Sequence, residues 1–213
     1  MKYILWASGL IFILMVGYIV WNSIAYQKKA SAPPPAPEVQ IPSTYSSSTL
    51  GFSISYPKEF ILDENYEYPF SENKTIRGVR FTIPGEMATG TNLASDSYIA
   101  IEQLPRAKNC TGDIYLTANV RAQTITENGV RYSFAMNSGA AAGNLYEELI
   151  YAISGSSPCT AVRYYIHSGN IQNYEMGTIT EFDRALLISE FDKIRRSLSF
   201  LTSNTINSAT STP

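Results

Sequence analysis

The sequence is poor in the residues that most often carry chemistry. Its 213 residues include one histidine, His167, and two cysteines, Cys110 and Cys159. A lone histidine excludes most zinc-hydrolase and metalloprotease patterns, which bring several ligands to one ion. No C-x-x-C pair occurs, so a cysteine-based metal site has too few donors. No G-x-S-x-G turn presents a nucleophilic serine. Ser55-x-x-Lys58 and Ser71-x-x-Lys74 match the S-x-x-K spacing of penicillin-binding enzymes. That chemistry needs its serine at the start of a helix, whereas Ser55 runs into Pro57 and Ser71 lies in a polar stretch. Their S-D-N and K-T-G companions are missing too. Phosphate loops, dinucleotide fingerprints and calcium loops are all lacking, so no cofactor and no metal are expected and no catalytic residues are assigned.

Negative charge is missing from the N-terminus, where no acidic residue precedes Glu38. Lys2, Lys28 and Lys29 flank an uncharged stretch over residues 3–26. As a helix its 24 residues rise ~36 Å, enough to cross a ~30 Å hydrocarbon core with some tilt. Tyr3 and Trp6 near one end, and Trp21 and Tyr26 near the other, suit the two membrane interfaces. The expectation for residues 1–26 is an uncleaved single-pass transmembrane anchor rather than a signal peptide, whose apolar core is typically ~7–15 residues. Flanking charge is nearly balanced and does not orient it. The spacer and the even cysteine pair point to a C-terminal domain on the extracytoplasmic side of the cell membrane.

Residues 27–48 are rich in proline, serine and alanine and read as a semi-rigid linker. Residues 202–213 read as a disordered polar tail. The folded domain is expected over residues 49–201. Setting aside the three N-terminal lysines, 13 of the 16 basic residues stand against 18 acidic ones. A domain with that balance and no basic stripe is no nucleic-acid binder.

Within the domain, apolar residues alternate. Phe52, Ile54 and Tyr56 mark a strand ended by Pro57; Val79, Phe81 and Ile83 mark a second, and residues 97–104 a third. Asn128-Gly129 is a hairpin turn pairing residues 119–127 with 130–137. Residues 144–153 and 160–168 form a further pair. Leu187, Phe191, Ile194 and Leu198 switch to helical spacing over residues 181–198, with Thr180 as N-cap. A shorter helix is expected over residues 112–118. Strands first and a packing helix last indicate an α+β domain with a mostly antiparallel sheet.

Cys110 and Cys159 can be a disulfide, two free thiols or metal ligands. The disulfide is the expectation; it closes a loop of about 50 residues and is worth about 4 kcal/mol in the chain-entropy model. His167 shares a strand face with Arg163 and Tyr165, opposite Val162, Tyr164 and Ile166, and reads as a strand residue rather than a catalytic base. Glu147 and Glu148 are adjacent on a strand, face opposite ways, and read as a solvated edge. Residues 63–70 mix acids with aromatics in a loop. Tyr66, Tyr68 and Phe70 there are candidates for partner contact, or for packing back onto the sheet.

Leu50-Gly51-Phe52-Ser53-Ile54-Ser55-Tyr56-Pro57-Lys58-Glu59-Phe60 resembles the opening of PsbP-like domains, a G-F-x-[FI]-x-[YF]-P strand followed by an aromatic, commonly tryptophan. Phe191-Asp192-Lys193-Ile194-Arg195-Arg196-Ser197-Leu198-Ser199-Phe200 resembles their closing helix and short strand. Between them, Gly143-Asn144-Leu145-Tyr146-Glu147-Glu148 and Pro158-Cys159-Thr160-Ala161-Val162-Arg163-Tyr164 look like segments of uncharacterised anchored proteins of environmental bacteria. The resemblance implies an α/β/α sandwich around a central antiparallel sheet. It also implies a non-enzymatic binding or assembly module, without catalytic residues. The expected partners are the membrane and a protein or cell-envelope component. The alternatives are a cell-envelope hydrolase built on carboxylates from distant strands, and a pilin-like subunit. The pilin reading lacks the prepilin cleavage site with glutamate at the fifth mature position.

Overall fold

The computed structural model of the chain describes residues 42–201 apart from residue 73, together with Tyr18 and Trp21, which are helical and exposed. The expected anchor, most of the linker and the C-terminal tail lie outside these residues. Among the described residues no helix is long and apolar enough to cross a membrane. Two compact units divide the chain, Met1–Gln40 and Ile41–Pro213. All the elements that follow belong to the second.

The main sheet has eight antiparallel strands. They are β3 (Ile61–Asp63), β4 (Glu67–Ser71), β5 (Lys74–Thr82), β6 (Tyr98–Leu104), β7 (Gln123–Glu127), β8 (Val130–Ala141), β9 (Asn144–Ile153) and β10 (Cys159–Gly169). The order is β3-β5-β6-β10-β9-β8-β7, with β4 sharing the outer edge of β5. A second sheet joins β1 (Ser43–Ser47), β2 (Phe52–Tyr56) and β11 (Ser199–Phe200). The helices are a single turn, α1 (Gly85–Ala88), and the long α2 (Arg184–Arg196).

Alternation along each strand builds a different layer on each face. Ile99 and Ile101 of β6, Val162, Tyr164 and Ile166 of β10, and Tyr132 of β8 share a core with the small sheet's Phe52 and Ile54 and with Leu187, Phe191 and Ile194 of α2. The three helical residues recur at intervals of four and three, the spacing that makes one apolar stripe. Lys193, Arg195 and Arg196 in the last turn complement the helix dipole. Arg195 is nevertheless buried. Its Nε donates to Tyr164 Oη (2.8 Å) and its Nη2 to Glu127 (2.6 Å) and Asp192 (2.9 Å).

The opposite face carries Ile76, Ala135, Ile150, Ala152 and Ala161 beneath Tyr115 and Leu116. Among the described residues no α-helix covers this face, which carries a 3-10 turn at Gly112–Tyr115. Among the described residues the α/β/α sandwich therefore does not form. One face has a helix and a small sheet, and the other is roofed by loop and aromatic side chains.

Other expectations shift as well. The helix begins at Arg184, because the Asp183 carboxylate rather than Thr180 caps it, accepting from Leu186 N–H at 2.9 Å. Thr180 instead bridges Thr91 and donates its N–H to Gly90 O. Residues 112–118 make only the 3-10 turn. The first strand of the Asn128-Gly129 hairpin starts at residue 123, not 119. Residues 63–70 are not one loop, since β4 occupies most of their second half. Ordered structure also begins before residue 49: Ser43–Ser47 pairs with β2 and buries Tyr45 against Phe52 and Phe81.

Candidate functional site

Strand register brings together three charges that lie far apart in the chain. Ala161 of β10 pairs with Glu102 of β6, and Tyr165 pairs with Glu148 of β9. Arg163, two residues from each, is a diagonal neighbour of both carboxylates on the helix-free face. Its Nε donates to Glu102 Oε1 at 2.7 Å, its Nη2 to Glu102 Oε2 at 3.0 Å and its Nη1 to Glu148 Oε1 at 2.5 Å. The Arg163 and Glu102 side chains are fully buried. Tyr68 lies over the guanidinium, its ring centroid 3.8 Å away, and donates its hydroxyl to Glu148 at 2.8 Å. Tyr66 donates to Glu102 at 3.1 Å and meets the Tyr98 hydroxyl at 2.9 Å.

Burial works against the charge on Arg163, but the Glu102 and Glu148 carboxylates outweigh it and hold the guanidinium firmly protonated. Burial also pushes the Glu102 carboxyl above the ordinary carboxylate range, against the opposing pull of Arg163 and the Tyr66 hydroxyl. With both carboxylates engaged by one guanidinium, the cluster is a structural clasp more than a proton-transfer pair.

The clasp holds a loop. Arg163 Nη2 also donates to Tyr115 O at 2.8 Å, and Tyr115 Oη donates to Cys159 O at 2.7 Å. Cys159 is joined to Cys110 by a disulfide. Gly112 rests on β8, where its N–H donates to Ser133 Oγ at 3.1 Å. A Cβ at Gly112 would lie 2.7 Å from Ser133 O and 2.8 Å from Ala135 N, so the approach demands glycine. Residues 110–115 are thus tied to β8 and β10 by a covalent bond and three hydrogen bonds.

The outer side of this loop walls a groove of about 1160 Å³ at the end of β5 and β6. Lys74 and Arg77 reach it from β5, Arg106 and Lys108 from the loop after β6, and Asp113 from the 3-10 turn. Leu104, Ala107 and Ile114 give it an apolar lining. Arg77 pairs with Glu67 at 2.9 Å on the surface, and Lys74 lies over the Phe70 ring at 4.3 Å. Among the described residues no carboxylate comes within ion-pair distance of Lys74, Arg106 or Lys108. In a domain with an acidic excess, four cations converge on one opening.

Of the residues marked from sequence, Cys110 and Cys159 are bonded to each other. Tyr66 is buried, Tyr68 is half-buried over Arg163, and Phe70 is half-buried under Lys74 at the margin of the groove's β5 wall. His167 stacks on Tyr146 at 4.6 Å and meets Asp96 through Nδ1 at 2.7 Å. The Ser97 hydroxyl is occupied by the His167 backbone, accepting its N–H and donating to its carbonyl. Glu147 and Glu148 do face opposite ways: Glu147 takes Arg184 at the start of α2. They are no solvated edge, because each is engaged by an arginine. The sequence pattern places Arg163 only on a strand face with Tyr165 and His167 and leaves Glu102 unmarked, though each interrupts an apolar strand, the signature of a buried pair.

No protein-family model matches the chain, and no curated protein does. The solved structures that resemble this chain include the following three. The Ran-binding protein Mog1p of Saccharomyces cerevisiae aligns over 78% of this chain and 98% of its own, at 9% identity and a TM-score of 0.46. A protein from Bacteroides thetaiotaomicron aligns over 76% of this chain at 10% identity and a TM-score of 0.41. This chain spans 49% of that protein's length. Cyanobacterial PsbP (CyanoP) from Synechocystis aligns over 80% of this chain and 99% of its own, at 12% identity and a TM-score of 0.32. Likenesses this loose say nothing about partners.

Proposed function

We propose that the domain is a non-enzymatic binding or assembly module that takes an anionic segment of a protein or cell-envelope partner into the groove of Lys74, Arg77, Arg106 and Lys108. The observation that carries this reading is the convergence of those four cations on a wall tied to the sheet by the disulfide and the Arg163 clasp. A fixed wall lowers the ordering cost of binding. Positive charge in a groove raises the rate of encounter with an anionic partner. The PsbP-like character of residues 50–60 and 191–200 accords with a module of this kind. Residues 3–26 serve as its membrane anchor, and the disulfide fits an extracytoplasmic, oxidising location.

A carboxylate hydrolase is the competing reading. Glu102 and Glu148 do meet, but through Arg163, and neither lines the groove.

The test uses the full chain in detergent micelles and a fluorescein-labelled polyglutamate as probe. Binding is expected to weaken as salt rises, since exposed charges are screened beyond ~8–10 Å at physiological ionic strength. Reversing all four cations to glutamate should lower affinity by more than about tenfold while the far-ultraviolet dichroism is unchanged. Equal binding by the reversed variant removes the proposal.

A further inference from the structure

The main sheet is unevenly closed at its β8 side. Both ends of β8 are two-residue turns, Asn128-Gly129 and Ala142-Gly143, with positive φ at all four positions. Residues flanking such a turn form a hydrogen-bonded pair. Val130, Tyr132 and Phe134 therefore turn their backbone groups towards β7. Counting back from the other turn, Ala141, Gly139, Asn137 and Ala135 turn theirs towards β9. The two counts agree, and they leave the N–H and C=O of Met136, Ser138 and Ala140 pointing away from β9. The pairing of β7 stops at Gln123 opposite Phe134. Among the described residues nothing pairs with β8 beyond that point.

Sheet edges are usually protected by charge, proline, bulges or brevity. The other side of the sheet shows all of these: β3 has three residues, and β4 carries Glu67, Pro69 and a register shift. The free edge of β8 has none. Its pairing with β9 is regular from Tyr132 to Ala141, and residues 135–146 carry no charge. Met136 and Leu145, on the helix face of the same hairpin, are 48% and 43% exposed.

We propose that this edge pairs with the same edge of a second copy of the chain, antiparallel about a twofold axis at Ser138. The geometry is self-matching. Met136 of one copy faces Ala140 of the other, Asn137 faces Gly139, and Ser138 faces itself. The three residues with free backbone groups are fully used, and the small turn of one hairpin ends where β7 of the other copy begins. Charge favours the same choice. Two domains with an acidic excess repel across most of their surfaces, whereas the carboxylates nearest this axis, Glu147 and Glu148 of β9, are each engaged by an arginine of their own copy. One patch on both copies makes the interface isologous and closed, which prevents growth into fibres.

The test again uses the full chain in detergent micelles. Ser138 lies at a hydrogen-bonded pair, where the Cα atoms of facing residues are ~5.5 Å apart, within disulfide range. Ser138→Cys should cross-link to dimer on mild oxidation, well above a Ser95→Cys control at another exposed site. Ser138→Pro removes the outward donor without touching a β9 bond, a position where an edge strand tolerates proline. By sedimentation it should weaken self-association by at least about tenfold with unchanged dichroism. Cross-linking of Ser138→Cys no greater than the control overturns the proposal, as does self-association that Ser138→Pro leaves intact. Either result would also follow if the edge instead took another protein's peptide or this chain's own tail.

Discussion

Replacing Arg163 with methionine is expected to lower the folding stability by about 3–5 kcal/mol, read from urea or guanidinium unfolding. The cost arises less from the lost attraction than from what remains. Glu102 would keep a buried carboxyl with no counter-charge, and Glu148 would lose its partner on β10. The Tyr115 carbonyl would lose its donor, and Tyr68 the cation beneath its ring. A further signature separates this from a simple packing defect. In the variant the Glu102 carboxyl, already pushed up by burial, should resist ionisation in the folded state more than in the unfolded chain. Stability lost near neutral pH should therefore return as pH falls and the folded state takes up protons. Replacing Glu102, Arg163 and Glu148 together by apolar residues of similar volume should cost far less than the single change, since no charge is then left alone. A loss under about 1 kcal/mol for Arg163→Met would mean that the cluster is not the clasp described.

The second large effect is at high pH. Tyr66, Tyr98, Tyr115, Tyr151 and Tyr164 are buried, and burial raises the pKa of each. Tyr151 is pushed up to about 12, and the other four further. Their folded pKa values lie above the unfolded value of about 10. Their contribution is thus complete below pH ~10 and is lost as pH rises above it, because the unfolded chain releases its protons first. Each group loses about 1.4 kcal/mol per pH unit, and five together lose about 7. Against a net stability of roughly 5–15 kcal/mol, the domain should unfold cooperatively between about pH 11 and 12. Tyrosinate absorbance and circular dichroism should change together. Smooth tyrosine titration near pH 10, with the fold intact, would contradict the burial of these rings.

Much of the secondary structure is legible in the sequence. The strand at 52–56 and the Asn-Gly turn at 128–129 appear where the residues indicate, and the strands expected over 97–104 and 160–168 form within a residue of those bounds. These signals are local, set by the two-residue repeat of a strand or the backbone geometry of a turn. The misses are cases where tertiary contacts win. Residues 43–47 look like spacer until β2 supplies an edge to pair with and Phe52 a neighbour for Tyr45. Thr180 has the chemistry of a helix cap, but the bridge to Thr91 leaves that role to Asp183. Residues 63–70 read as loop because three acidic residues and Pro69 lie within them.

By itself the sequence determined the apolar N-terminal stretch, the scarcity of catalytic residue types, the hairpins and the amphipathic helix. Each follows from composition or short-range periodicity. Tertiary structure alone decided which charges meet. Glu102 and Arg163 are 61 residues apart, and only the register of β6 against β10 makes them neighbours. The groove gathers Lys74 and Lys108 from either side of β6 in the chain, and among the described residues β8 has a free edge because the pairing of β7 stops at Gln123, opposite Phe134. Long-range pairing sets such features, and a one-residue slip would turn every side chain of a strand to the other face.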